Sequence, residues 1–122
     1  MAHLISAPTR IPVPGGKVIV EYVGRVNTGD DSVSVAHMVA PPGWEEPSQQ
    51  PEFDEVTLVL RGLVTVEVAD GDGGSESLEV PAGQAVVTRA GERVRYSTRE
   101  LESEYVSVCF PAFSPETVNR EE

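Results

Sequence analysis

Side chains able to do chemistry are few in this chain. It holds two histidines (His3 and His37), one cysteine (Cys109) and one lysine (Lys17). His37 shares parity with Val33, Val35 and Val39, the more β-branched set of its segment, so the pattern lets it face either a cavity or solvent. A hydrogen-bonded wall residue is the simpler role for a lone histidine than a metal ligand. His3 lies in an unpatterned stretch and is expected to be exposed. A single cysteine excludes an internal disulfide and supplies no pair for structural zinc, so Cys109 reads first as a small buried hydrophobe. Glu55 stands out among the carboxylates by its place. In Glu55–Leu60, Val56, Leu58 and Leu60 share one face while Glu55, Thr57 and Val59 share the other. Glu104–Phe110 repeats the arrangement, with Tyr105, Ser107 and Cys109 opposite Val106, Val108 and Phe110. In a two-layer barrel the mixed faces line a cavity and the apolar faces pack on another layer or subunit. Glu55, Thr57 and Cys109 are therefore candidates for one cavity wall, and a homodimer is the natural inference for the apolar faces.

The elements that would position these residues are all strands. No stretch of helical length keeps an apolar 3.6-residue period. Short β-branched runs separated by Gly, Pro and Asp mark an all-β chain, with strands expected at Lys17–Val26, Ser32–Ala40, Glu55–Leu60, Leu63–Ala69, Ser77–Val80, Gln84–Thr88, Val94–Thr98 and Glu104–Phe110. Asp70–Ser75 (DGDGGS) reads as a hairpin turn. Val64, Val66 and Val68 alternate with Thr65 and Glu67, which implies one buried and one wet face. Trp44 follows the turn Pro41-Pro42-Gly43 at a barrel mouth, where it either stacks on a ligand or anchors the loop. Glu45 and Glu46 read as solvated loop charges. Arg93 and Arg95 alternate with Val94, so they are expected to face outward in ion pairs. The last residues, 117–122, are polar and expected to fray.

Composition narrows the partners. With 122 residues and no composition break, one domain over 1–122 is expected. The formal charge of −11 repels phosphate backbones and anionic lipid, so nucleic acid and membrane are expected to be poor partners. The start of the chain shows no basic region followed by a long apolar stretch, and the free thiol suits a reducing compartment; a cytoplasmic location is expected.

The stretch Pro41–Val68 (PPGWEEPSQQPEFDEVTLVLRGLVTVEV) resembles the first motif of the cupins, G-x5-H-x-H-x(3,4)-E-x6-G. Gly43 stands at its start, and Glu55 is followed after six residues by Gly62. Gly83 and Gly91 match glycines of the second motif. The resemblance covers roughly Val33 to Phe113 and implies a small single-domain bacterial cupin, a double-stranded β-helix or jelly-roll β-barrel with its body at about 17–113. It also implies a metal site, and there the chain departs from the family. The histidine positions fall on Ser48 and Gln50 in the preferred register, or on Gln49 and Pro51 in the other. Val94 holds the third histidine position and Thr98 the asparagine position, so of four usual ligands only Glu55 remains. No resident metal or other cofactor is expected; the alternative is a divalent transition metal at an atypical site of Glu55, Gln50 and His37.

Without a cation, a carboxylate facing a barrel interior is desolvated and its pKa rises, as a general acid or base requires. Tyr96 and Thr98 share the parity of Val94 and are expected to line the same cavity. The leading expectation is a barrel that binds a small polar organic ligand through Trp44, Gln50, His37, Thr57, Thr98 and Cys109. The alternative is an enzyme of isomerase or lyase type, with Glu55 as base and Tyr96 as acid, or a metal-dependent reaction at the atypical site.

Overall fold

The computed structural model describes residues 2–121. Nine strands follow in chain order: β1 Thr9–Ile11, β2 Val18–Val23, β3 Ser34–Ala40, β4 Asp54–Arg61, β5 Leu63–Ala69, β6 Ser75–Pro81, β7 Ala85–Thr88, β8 Val94–Ser97 and β9 Ser103–Phe110. They form a six-stranded sheet in the order β1-β2-β3-β9-β4-β7 and a three-stranded sheet in the order β6-β5-β8. All pairings are antiparallel. The architecture is the expected all-β double-stranded β-helix, a jelly-roll barrel of the cupin type. No helix among the described residues is long and apolar enough to cross a membrane.

β5 falls on the expected residues, and the other strands shift by a few positions at their ends. β1 was not expected: it is flanked by Pro8 and Pro12 and too short to show alternation, and is a strand because it pairs with β2, with Arg10 opposite Val20. The barrel therefore begins before residue 17. The chain end also departs from expectation. Val118 is buried, Gln49 bridges Arg120, and the Glu121 amide donates to the Ser48 carbonyl at 2.8 Å. Polar composition suggested fraying, but backbone pairing holds this tail down. Glu122 lies outside the described residues.

Val59, Val64, Val66 and Val94 are completely or almost completely buried between the two sheets, each such side chain contributing about 1.5–3 kcal/mol of transfer free energy. Thr65 does not lie on a wet face as its alternation implied. It is fully buried, and its hydroxyl accepts from Arg99 Nε at 3.3 Å. Glu55, Thr57 and Val59 point inward, while Leu58 and Leu60 on the opposite face are exposed. The outward row continues across the sheet, because Val56 stands opposite Val87 and Val108. The large sheet thus keeps an uncovered apolar outer face.

Candidate functional site

Strand parity builds one cavity of about 560 Å³. β2 and the residue before it contribute Lys17, Ile19 and Glu21; β3 contributes Ser34, Ala36 and Met38; β9 contributes Tyr105, Ser107 and Cys109. Alternate residues on each strand share a face, so these trios select themselves. Glu55 from β4 and Tyr96 from β8 complete the far wall, and the loop Trp44–Gln49 covers one side.

The expected residues divide sharply. Glu55, Tyr96, Trp44 and Cys109 all line the cavity. Tyr96 Oη donates to Glu55 Oε1 at 3.3 Å and lies 3.1 Å from the Thr88 hydroxyl. His37 does not belong to the cavity. Ser34, Ala36 and Met38 take the inward face of β3, which turns His37 to the outer face with its Nε2 2.6 Å from Glu104 Oε2. Both faces of β3 are apolar in the sequence, so the parity had no direction. Gln50 is also misplaced: its side chain is exposed and donates to the Gly91 carbonyl at 2.9 Å. The neighbouring Gln49 is buried and lines the cavity instead. Gln49 belongs to the other register, and its inward position is fixed by paired backbone bonds between Gln49 and Val94 at 2.8 Å. Thr57 is buried among the inward residues of β4. Thr98 holds a loop rather than a ligand: its hydroxyl donates to the Pro41 carbonyl at 2.6 Å and accepts from the Trp44 amide at 3.1 Å. Arg93 and Arg95 face outward, paired with Glu121 and Glu45.

Two cavity residues escaped sequence reasoning. Glu46 is not a free loop charge, since its carboxylate is 12% exposed and sits 3.6 Å from Arg120. Lys17 places its Nζ 4.0 Å from the centroid of Trp44 and 5.3 Å from that of Tyr105. Being the sole lysine was the one signal the sequence offered for it, and that signal did not locate it.

Burial dominates the electrostatics. Desolvation raises the Glu55 pKa, and the nearby Glu46 charge raises it further, against the Ser107 and Tyr96 hydroxyls and the Lys17 charge. Glu46 is also raised, mainly by burial. Burial lowers Lys17 to about 8, although Glu46 and Glu55 oppose the shift. The Tyr96 and Tyr105 phenols and the Cys109 thiol are all pushed up by burial. Cys109 is accordingly a buried thiol, not an activated nucleophile.

These shifts set the pH dependence of stability. Where a carboxyl pKa is raised by folding, the folded state holds protons that the unfolded chain releases, so stability falls as pH climbs above about 4.5. Lys17 acts oppositely between about 8 and 10.5, where the unfolded chain holds the extra proton and stability rises with pH. Glu55→Gln is expected to flatten the fall and to stabilise the protein near pH 7, by about 1–3 kcal/mol, the common scale for single buried changes. Urea unfolding at several pH values measures it; a variant with an unchanged slope would contradict the assignment.

The donor set does not fit the metal that the cupin resemblance implied. Ser48, Val94 and the outward Gln50 offer no site, and among the described residues no group of three His, Cys, Asp or Glu is placed to hold an ion.

A double-stranded β-helix around such a cavity defines a cupin-type barrel, and solved structures agree on the fold. A Bacillus subtilis oxalate decarboxylase studied for its Mn(II) centres superposes with a TM-score of 0.79 at 19% identity, over 95% of this chain and 31% of that one. A single-site variant of that enzyme gives 0.80 at 19% identity, again over 95% and 31%. At this identity the likeness is one of fold alone.

No family model matches the chain. In sequence it is 46% identical over 112 residues to an "Endoribonuclease YbeY" of Myxococcus xanthus, a match that takes in 91% of this chain. The chain spans only 36% of that protein. This relative corrects three expectations. The kinship found is with part of a longer endoribonuclease, not with a small single-domain cupin bearing a degenerate metal site. A barrel for a small polar organic ligand, or an isomerase or lyase, is not what the relative's name describes. The expectation of no nucleic-acid partner is corrected likewise, because the relative is named an endoribonuclease.

Proposed function

We propose that this barrel is an accessory unit of RNA processing that works beside an endoribonuclease body in the cytoplasm. The observation that carries the reading is the 46% identity to a portion of the Myxococcus protein. Nearly two thirds of that protein lies outside the match, which leaves room for a separate cutting body. Two features of the barrel support an accessory role. Its formal net charge is −11, and Arg61, Arg89, Arg93, Arg95, Arg99 and Arg120 all face carboxylates, so direct contact with phosphates is a minor part of its role. Among the described residues no group of three His, Cys, Asp or Glu is placed to hold an ion at the cavity around Glu55 and Tyr96, and in this reading the phosphodiester is cut elsewhere. RNA reaches the barrel through the body it serves.

The test exchanges parts. Removing the matched portion from the Myxococcus enzyme is expected to lower its cleavage of structured RNA by roughly tenfold or more, an ordinary coupling between two sites. Inserting this chain in its place is expected to restore most of that loss, while the isolated barrel leaves the RNA intact. A chimera no better than the deletion, or an isolated barrel that cuts RNA, overturns the proposal.

A further inference from the structure

Lys17 is held by aromatic faces alone and not by a carboxylate, and this is the feature that the accessory role leaves unexplained. Its Nζ stands over the Trp44 and Tyr105 rings and makes no ion pair or side-chain hydrogen bond among the described residues. A lysine placed only to stabilise a fold would be expected to bridge a carboxylate or to extend into solvent. This one ends in a cavity of about 560 Å³ whose walls include Ile19, Met38, Trp44 and Phe53. Tyr105, whose ring centroid lies 5.3 Å from Nζ, is only 2% exposed and its hydroxyl has no hydrogen-bond partner. A buried donor without a partner costs about 1–3 kcal/mol, and one facing a cavity is positioned to meet an oxygen that enters.

We propose that Lys17 is a selectively reactive amine that condenses with an aldehyde or ketone of apolar body entering the cavity. Desolvation in an apolar pocket is the condition under which lysine becomes a nucleophile toward carbonyl carbon. The Nζ lone pair forms the C–N bond as the carbonyl π pair moves to oxygen. That oxygen takes a proton from the neutral carboxyl of Glu55 or Glu46, and the nitrogen returns one to the carboxylate. The resulting carbinolamine hydroxyl is protonated by the same carboxyl and leaves as water. The last nitrogen proton goes back to the carboxylate, leaving an imine, so amine and carbonyl become imine and water with no other reactant. Burial shifts the Glu55 and Glu46 carboxyls toward their protonated forms, and the lowering of Lys17 to about 8 enlarges its free-amine fraction near neutrality. Tyr105 lines the same cavity with a free hydroxyl that can donate to an entering oxygen. The charged groups facing Lys17 are Glu46, Glu55 and Arg120, with Glu21 also on the cavity wall. This chemistry stands apart from the RNA-processing role and does not depend on it.

The probe is hexanal with cyanoborohydride, which traps imines as stable secondary amines read by peptide mass mapping. The chain has one lysine, so side-chain labelling reports a single site, and the α-amine serves as internal reference. Folded protein at pH 7 is expected to label Lys17 about 100-fold faster than the same chain unfolded in urea, because the free-amine fraction rises about tenfold per pH unit that the pKa drops. The folded rate is expected to climb through half its maximum near pH 8. Above pH 8, where Lys17 is already the free amine, Glu55→Gln is expected to lower the plateau rate of folded labelling severalfold, with the near-ultraviolet circular dichroism unchanged. Lys17 labelling no faster folded than unfolded, or a profile rising only near that of free lysine, overturns the proposal.

Discussion

Trp44→Ala is expected to lower the unfolding free energy by about 3–5 kcal/mol, the usual range for emptying a large aromatic site. Trp44 is only 8% exposed and belongs to the main core cluster. Its loop is tied to the barrel by backbone and hydroxyl bonds from Thr98, so the main chain is not free to collapse into the space. The Lys17 ammonium also loses an aromatic face, worth about 0.5–2 kcal/mol. Urea unfolding followed by far-ultraviolet circular dichroism measures the loss, because the variant has no tryptophan left to fluoresce. Trp44→Phe is expected to recover most of the stability. An alanine variant within 1 kcal/mol of the parent would mean that this loop contributes little to closing the cavity.

The second large effect contrasts two glycines. Gly62 joins β4 to β5 with φ +87°, and a Cβ there would lie 2.5 Å from the Glu102 carbonyl oxygen and 2.5 Å from the Ser103 hydroxyl. Gly83, with φ +86°, has nothing within 4 Å of its imagined Cβ. Gly83→Ala isolates the left-handed backbone penalty, about 1–2 kcal/mol. Gly62→Ala adds a clash with backbone that has no rotamer to yield, and the Ser103 hydroxyl that holds Leu63 at 3.0 Å must also move. Its expected cost is roughly 3–5 kcal/mol. Equal costs at the two positions, measured by denaturant midpoints, would show that β9 shifts freely away from the turn.

Much of this architecture was legible in the sequence, for reasons that separate by residue. Alternation served at β4 and β9, where one side of the strand differs from the other and Glu55 and Cys109 lie inside; at β5 it found the buried valines but misplaced Thr65, which is buried too. It failed at β3, apolar on both sides, and so left His37 undirected. It had nothing to say about the loop before β4, where a backbone ladder to Val94, and not any pattern of side chains, sends Gln49 inward and Gln50 out. Lys17 and Glu46 were missed for these same reasons. Lys17 immediately precedes a strand apolar on both sides and Glu46 sits in a loop without periodicity, and each is buried because elements distant in sequence close over it. The kinship with an endoribonuclease was illegible in another sense. It is spread over 112 aligned residues and is not carried by any catalytic signature that a single sequence displays.

The place of β9 also has a kinetic consequence. It is the last strand in the chain, yet it lies in the middle of the large sheet, with Ser34 on one side and Asp54 on the other opposite Cys109 and Phe110. Until it arrives, β3 and β4 each present an open edge, and the apolar rows beside them have no neighbour. Pairings this distant must meet the entropy of closing long loops before any contact rewards it, which places folding in the slower millisecond-to-second range of small domains. On a ribosome the barrel cannot close until Phe110 has emerged, and its unpaired edges invite other strands in the interval. A chain cut short before that residue loses the keystone of its sheet, and would be recognised by its aggregation sooner than by any loss of activity.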